Sequence, residues 1–289
     1  FTYQWQSSTD GTNFSDVVGE TGATYTPPAL TQDTWYKRLV TSSLNGTDCT
    51  EETNVVRITV NNFTPGVIGA DETICEGDTP AGLTSTTAAS GDGAFTYQWL
   101  QSTDGTNFST VSGATTDAYN PPALSQDTWY KLQVTSTLNA VGCVEETNTI
   151  QITVNNFNPG SIDTDQTICE GDTPAEITSI TPTGDFTSVT YRWLESTDGT
   201  NFTVMGGETS ETLTPPALNQ DTWYKREVNA NLNGTICTEE TNVVRITVIN
   251  FDPGSVDANQ TICEGSSPAV FTSVAPSGDG SFTYQWQSS

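Results

Sequence analysis

Six cysteines are the residues of this sequence with the clearest capacity for covalent chemistry. They form two sets with a spacing of 94 residues. Cys75, Cys169 and Cys263 lie within the motif TICEG, and Cys49, Cys143 and Cys237 lie just before EETN. Histidine is absent, so two cysteines per repeat cannot complete a zinc site, and Ser-His-Asp or Cys-His catalysis is excluded within this sequence. The cysteines are therefore predicted to form disulfides, which are typical of an extracytoplasmic, oxidising compartment.

The spacing leaves two pairings open for Cys75. Its partner could be Cys143, 68 residues later in the same repeat, or Cys49, 26 residues earlier in the preceding repeat. A disulfide needs Cα atoms within about 7 Å. In a sandwich we expect the loop before the last strand to lie at the end where the repeat's own first strand begins, far from the attachment of the next repeat. The predicted bonds are therefore Cys75 with Cys143 and Cys169 with Cys237, and Cys49 and Cys263 are left to partners outside the sequence.

Acidic residues outnumber basic ones by 35 to 8, which gives a net charge of -27. This charge argues against nucleic acid or an anionic membrane as a partner. Carboxylates in loops could bind calcium, although no stretch matches an EF-hand loop, and no other metal or cofactor is expected. Glu145 and Glu146 could act as a glycosidase pair only if they faced each other, whereas adjacent residues of an extended segment point apart. We therefore expect a protein that is not an enzyme.

Trp35, Trp129 and Trp223 share the 94-residue spacing and precede a tyrosine that is predicted to face inward. On the outer face of a sheet they are candidate platforms for stacking against glycans. The more common explanation is that each indole packs beside a lysine stem or under a neighbouring loop of its own repeat.

The sequence around these residues has the patterns of β-strands. Phe95, Tyr97 and Trp99 alternate with other residues in a period of two, and the Asp-Gly of the following STDG predicts a tight turn. About seven such strands occur per repeat, with no helical periodicity, which predicts an all-β sandwich. At one inward position the sequence has Leu132 in the second repeat but Arg38 in the first and Arg226 in the third, so burial there is expected to be incomplete.

The repeat defines the domain organisation. The string FTYQWQSS begins at Phe1 and recurs at Phe282, so the sequence is predicted to be part of a longer chain. The predicted domains are residues 1–62, the back part of one copy; 63–156 and 157–250, two complete copies; and 251–289, the front part of another. Short junctions with proline and no Gly/Ser spacer predict a semi-rigid, extended rod. No apolar stretch approaches the ~20 residues needed to cross a bilayer, so direct membrane insertion is not expected.

Three motifs carry a family resemblance: TICEGDTPA from Thr73, YQWQSSTDGTNF from Tyr3, and NPPALSQDTWYK from Asn120. With these words the chain resembles the immunoglobulin-like tandem repeats of giant cell-surface adhesins of Bacteroidota. It is similar in particular to the repeats of flavobacterial gliding adhesins. The resemblance implies an immunoglobulin-like sandwich and export by type 9 secretion. It also implies an extracellular role as a filament in surface attachment and gliding.

The partners expected from the resemblance are neighbouring repeats of the same chain, an extracellular polysaccharide or surface, and gliding or secretion machinery reached through other parts of the protein. Two further functions stay open. Each repeat could bind a glycan and act through avidity, or the repeats could accompany the catalytic domain of a secreted polysaccharide-degrading enzyme.

Overall fold

The computed structural model describes residues 1–289, and all of its regular elements are β-strands. The first repeat contains β1 (Thr2–Ser8), β2 (Ser15–Asp16), β3 (Thr34–Leu44), β4 (Thr47–Glu52) and β5 (Val56–Ile58). The second contains β6 (Phe63–Thr64), β7 (Val67–Ile68), β8 (Glu72–Cys75), β9 (Leu83–Thr87), β10 (Ser90–Gly91), β11 (Ala94–Ser102), β12 (Ser109–Thr110), β13 (Ala118–Tyr119), β14 (Thr128–Leu138), β15 (Val141–Glu146) and β16 (Ile150–Asn155). The third contains β17 (Phe157–Asn158), β18 (Ser161–Ile162), β19 (Gln166–Cys169), β20 (Ser179–Ile180), β21 (Thr183–Gly184), β22 (Ser188–Ser196), β23 (Thr203–Val204), β24 (Thr222–Leu232), β25 (Thr235–Glu240) and β26 (Val244–Ile249). The last residues contain β27 (Phe251–Asp252), β28 (Ser255–Val256), β29 (Ser273–Val274) and β30 (Ser277–Gly278).

The third repeat shows how the strands form two layers. Its large sheet has the order β19-β26-β24-β22-β23, and β25 also pairs with β24. Neighbours are antiparallel except β19 and β26, which run parallel. The smaller layer contains the β18-β20 pair and a bridge between Ile177 and Leu213. The second repeat has the matching large sheet, β12-β11-β14-β16-β8 with β15 on β14, and a smaller sheet, β13-β9-β7.

The core of each complete repeat lies between its two layers. In β14, Tyr130, Leu132 and Val134 are buried, while the alternate residues Trp129 and Lys131 are only half-buried. This is the alternation that the sequence predicts. The core of the third repeat consists of Ile162, Ile177, Trp193, Leu213, Leu218, Tyr224, Val244, Ile246 and Val248. Full burial of such side chains contributes about 1.5–3 kcal/mol each. The prediction of tandem all-β sandwich repeats is confirmed.

The expectation of incomplete burial is wrong at Arg226, whereas Arg38, at the equivalent position of the first repeat, is half-buried as expected. Arg226 is 0 % exposed. Its guanidinium donates to the carbonyl oxygens of Glu211 at 2.7 Å and Pro159 at 3.1 Å, and it lies 4.6 Å from the ring centre of Tyr191. Burial lowers the pKa of this guanidinium from its ordinary value. Backbone carbonyls and an aromatic face therefore replace water around the cation, a compensation that the hydropathy pattern alone does not reveal.

The compact units of the structure do not follow the repeat boundaries of the sequence. One unit comprises Phe1–Glu72 and Thr79–Thr153, and the other comprises Thr73–Asp78 and Val154–Ser289. The short segment Thr73–Asp78 comes from the second repeat and yet belongs to the unit that contains the third. No helix in the structure has the length and apolar character needed to cross a bilayer.

Candidate functional site

A disulfide joins Cys75, at the end of β8, to Cys237 in β25, with the two Cα atoms 5.5 Å apart. Cys237 is buried in a small apolar cluster with Phe157, Val228 and Ala230, against which Cys75 also packs. The bonded residues are 162 positions apart in the sequence. The bond therefore crosslinks two successive sequence repeats inside one compact unit.

Hydrogen bonds hold the segment Thr73–Asp78 in place around this disulfide. The Thr235 hydroxyl donates to the carbonyl oxygen of Thr73 at 3.0 Å. The backbone N–H of Glu76 donates to the carbonyl oxygen of Asn155 at 3.3 Å. The buried Asn155 side chain in turn donates to the carbonyl oxygen of Ala230 at 3.2 Å. The segment is thus fixed by backbone and side-chain contacts on both sides of the covalent bond.

The predicted pairings of Cys75 with Cys143 and of Cys169 with Cys237 are wrong in this structure. Cys143 and Cys169 are free thiols, and the alternative bond between Cys75 and Cys49 is not formed either. Cys49 and Cys263 are also free. Their assignment to partners outside the sequence stays a prediction.

The strand register explains why the two cysteines of one repeat do not meet. In the large sheet of the third repeat, Gln166 lies level with Thr222, with β26 between them. Cys169 lies three residues past that level in one direction, and Cys237 pairs with Ala230, eight residues past it in the opposite direction. At about 3.3 Å per residue the separation is roughly 35 Å, far beyond the reach of a disulfide. The expectation that both cysteines lie at one end of the sandwich is therefore wrong.

The three repeated tryptophans all pack against the glycine of the STDG turn in their own repeat: Trp35 against Gly11, Trp129 against Gly105 and Trp223 against Gly199. These glycines have φ between +71° and +75°, and a Cβ there would come within 3.1–3.3 Å of the indole. Arg57 and Arg245 lie over the rings of Trp35 and Trp223, each at 5.1 Å. The second repeat has Gln151 at this place, so no arginine covers Trp129. Glycan contact by these residues stays a prediction.

A network around each turn aspartate is the feature that the sequence reasoning missed. Asp104 accepts hydrogen bonds from the backbone N–H of Asn107 at 2.7 Å and of Thr106 at 2.8 Å, and its second oxygen accepts from the Asn107 side chain at 2.7 Å. The Ser102 hydroxyl adds a fourth bond at 2.8 Å. These donors, with the Asn107 backbone first, hold the pKa of Asp104 well below its usual range. Asp10 and Asp198 make the same network, which the repeated string STDGTNF could have indicated.

The carboxylates that the sequence singled out are otherwise engaged or solvated. Glu146 forms an ion pair with Lys131 at 2.5 Å, and the lysine also lies 4.2 Å from the ring centre of Phe108. Glu145 is exposed on the same strand. No group of three or more Asp, Glu, Cys or His side chains is arranged to hold a metal ion. Calcium binding stays an untested expectation.

Comparison with known proteins identifies the family of this chain. A family model described as a domain of unknown function, DUF8696, matches residues 2–62, 64–156, 158–250 and 252–289. The chain belongs to the DUF8696 family. No functionally curated protein matches the DUF8696 chain.

Among solved structures, the DUF8696 chain is similar to three N-terminal domains of the bacteriophage RB49 Highly Immunogenic Outer Capsid protein (Hoc). The TM-score is 0.39 at 14% identity, covering 86% of this chain and 89% of that one. It is also similar to a crystal structure of domains from titin, with a TM-score of 0.34 at 10% identity, covering 85% of this chain and 88% of that one. Similarities at this level carry no argument about function.

Proposed function

We propose that this chain is a structural stalk region of a large bacterial cell-surface adhesin, extending an adhesive region away from the cell for surface attachment and gliding. The observation that carries the proposal is the disulfide between Cys75 and Cys237, which ties one sequence repeat to the next. A crosslink of this kind reinforces an array along its length and contributes nothing to a pocket within a single repeat.

Three further observations support the extracellular part of the proposal. Disulfides persist in oxidising compartments. The net charge of -27 keeps a surface soluble and repels anionic membranes. The motifs TICEGDTPA and NPPALSQDTWYK resemble those of type 9-secreted adhesins of Bacteroidota. In this role the chain is not an enzyme, its immediate partners are neighbouring repeats, and secretion and gliding machinery is reached through other parts of the protein.

Surface labelling tests the location. Antibodies raised against the 289-residue chain are expected to label intact source cells, and mild protease treatment of those cells is expected to remove the signal. Labelling that requires permeabilised cells would overturn the proposal.

Repeated glycan binding is the rival function, and the observation that favours it is that no arginine lies over the half-buried ring of Trp129. The chain and its Trp129→Ala variant can be compared on an array of bacterial and environmental polysaccharides. A stalk is expected to bind none of them in either form. Binding by the native chain that is lost in the variant, with circular dichroism unchanged, would establish the glycan-binding module instead.

A further inference from the structure

The four free cysteines occupy the same repeat positions as the two that are bonded. Cys169 and Cys263 are equivalent to Cys75, and Cys49 and Cys143 are equivalent to Cys237, at the 94-residue spacing or its multiple. A partner for any of them that followed the observed bond would lie 162 positions away, outside residues 1–289. The free thiols are therefore those whose equivalent partner is not in this sequence.

The TICEG side of the bond is already formed around Cys169. The N–H of Glu170 donates to the carbonyl oxygen of Ile249 at 3.1 Å, as the N–H of Glu76 does to Asn155 at 3.3 Å. The turn that follows is also the same, since the backbone N–H of Asp172 donates to the carbonyl oxygen of Cys169 at 3.1 Å, as that of Asp78 does to Cys75 at 3.0 Å. Cys169 thus has the local conformation that Cys75 has when it is bonded.

The surroundings of Cys143 resemble those of Cys237, the other residue of the observed bond. Cys143 pairs with Ser136 in the β14-β15 hairpin, as Cys237 pairs with Ala230. The side chain of Asn61 donates to the carbonyl oxygen of Ser136 at 2.9 Å, the counterpart of the bond from Asn155 to Ala230. The site around Cys143 therefore matches the bonded one in its strand pairing and in the asparagine hydrogen bond, with Ser136 in the place of Ala230.

From these matches we propose that each TICEG cysteine in the array bonds to the second cysteine of the following repeat, so that the disulfides form a continuous covalent load path. The pairing depends on repeat geometry alone and does not rest on the proposed cell-surface role. Each bond forms by exchange with the disulfide of a thiol–disulfide oxidoreductase. One cysteine thiolate attacks it to give a mixed disulfide, and the second displaces the enzyme thiolate. The two protein thiols lose two electrons and two protons, and the enzyme is left as a dithiol.

The load path follows from the order of the cysteines along the chain. Tension that arrives at Cys75 crosses directly to Cys237, so the residues between them carry none of it. The next peptide segment under load is the stretch of 26 residues from Cys237 to Cys263, equivalent to that from Cys49 to Cys75. Cys143 and Cys169 enclose a third stretch of this length and belong to a second, interleaved path. Strands outside these 26-residue stretches, such as β22 and β24, are thereby shielded from forced extension, whereas β26 lies within a loaded stretch.

Single-molecule stretching of the 289-residue chain between its two ends tests whether tension crosses from Cys75 to Cys237 through the disulfide. Reduction is expected to increase the fully extended length by about 550 Å, the reach of the 162 residues closed by the bond. Cys237→Ser is expected to give the reduced length without reductant, and Cys143→Ser, the matched control, to leave the oxidised length unchanged. An increase of about 230 Å or about 460 Å would instead indicate one or both bonds within single repeats and would overturn the proposal. No increase would overturn it as well.

Peptide mapping without reduction tests the pairing rule in the full-length natural protein. The peptide that contains Cys169 is expected to be joined to the second cysteine of the repeat that follows, and the peptide that contains Cys143 to the TICEG cysteine of the repeat before. Recovery of both as free thiols, or joined within their own repeats, would overturn the rule.

Discussion

The second and third repeats have the same sheet order but differ at one position in the centre of the core. Leu132 lies opposite Trp99 in the second repeat, and Arg226 lies opposite Trp193 in the third. All four side chains are 0 % exposed. The fold therefore accepts either an aliphatic side chain or a cation at the same depth, provided that the cation finds acceptors.

This core is therefore specified by the alternation of inward and outward residues along each strand, and not by the identity of each residue. Arg226 keeps two backbone acceptors and the face of Tyr191, but its Nε atom has no partner. A buried charge of this kind gives little net stability compared with a well-packed apolar side chain. The second repeat has such an apolar side chain, Leu132, at the position that Arg226 occupies in the third.

Arg226→Ala is expected to have the largest effect and would test whether packing or charge matters at this position. It removes a large buried side chain and leaves two carbonyls without donors, so we expect a loss of about 3 kcal/mol. Hydrogen exchange of the β24 and β26 amides in the intact chain measures this loss. The matched variant Arg226→Leu, which copies Leu132, is expected to stay within about 1 kcal/mol of the native protein. If the leucine variant were as unstable as the alanine variant, the two repeats would not share interchangeable cores.

A second difference between the repeats concerns the half-buried tryptophans. Arg245 lies over Trp223, and Gln151 occupies the equivalent place beside Trp129. We therefore expect Trp223→Ala to destabilise its repeat by about 1 kcal/mol more than Trp129→Ala does. Local hydrogen exchange of β24 and β14 gives the comparison. The difference should vanish when Arg245→Gln is introduced as background, and its persistence there would exclude the arginine as the cause.

The smallest effect is expected at the turn aspartates Asp104 and Asp198, whose ionisation should be the same in the two repeats. Hydrogen bonds from Asn107 and Asn201 lower the pKa of Asp104 and Asp198 from the ordinary value of 3.8. A lowered folded pKa contributes stability above the unfolded value, and this is lost as the pH falls through the folded pKa. Both carboxylates are therefore expected to remain ionised in the folded chain at about pH 3, measured by NMR of the carboxyl carbons. Titration of either near its ordinary value would show that its network is absent in solution, and Asp104→Asn identifies the signal.

Much of the fold could be predicted from residue patterns. The alternation around Tyr130 and Leu132 gave the inward face of β14, and the Asp-Gly of STDG gave the turn after β11. The burial of Arg226 could not be predicted, because its acceptors on Glu211 and Pro159 lie 15 and 67 residues away in the sequence. Hydropathy describes a side chain, whereas the cost of burying it depends on neighbours that are brought together by folding.

The cysteines show most clearly which features can be predicted from the sequence and which depend on the folded structure. The period, the strand faces and the presence of two cysteines per repeat can all be deduced from the sequence, because they follow from local spacing. The pairing of Cys75 with Cys237 cannot, because it depends on how the folded strands bring the two residues together. In a periodic chain every cysteine has equivalents one or more repeats away, so spacing cannot select among partners. The strand register can, because it sets the two cysteines of one repeat at opposite ends of the same sheet, beyond the reach of a disulfide.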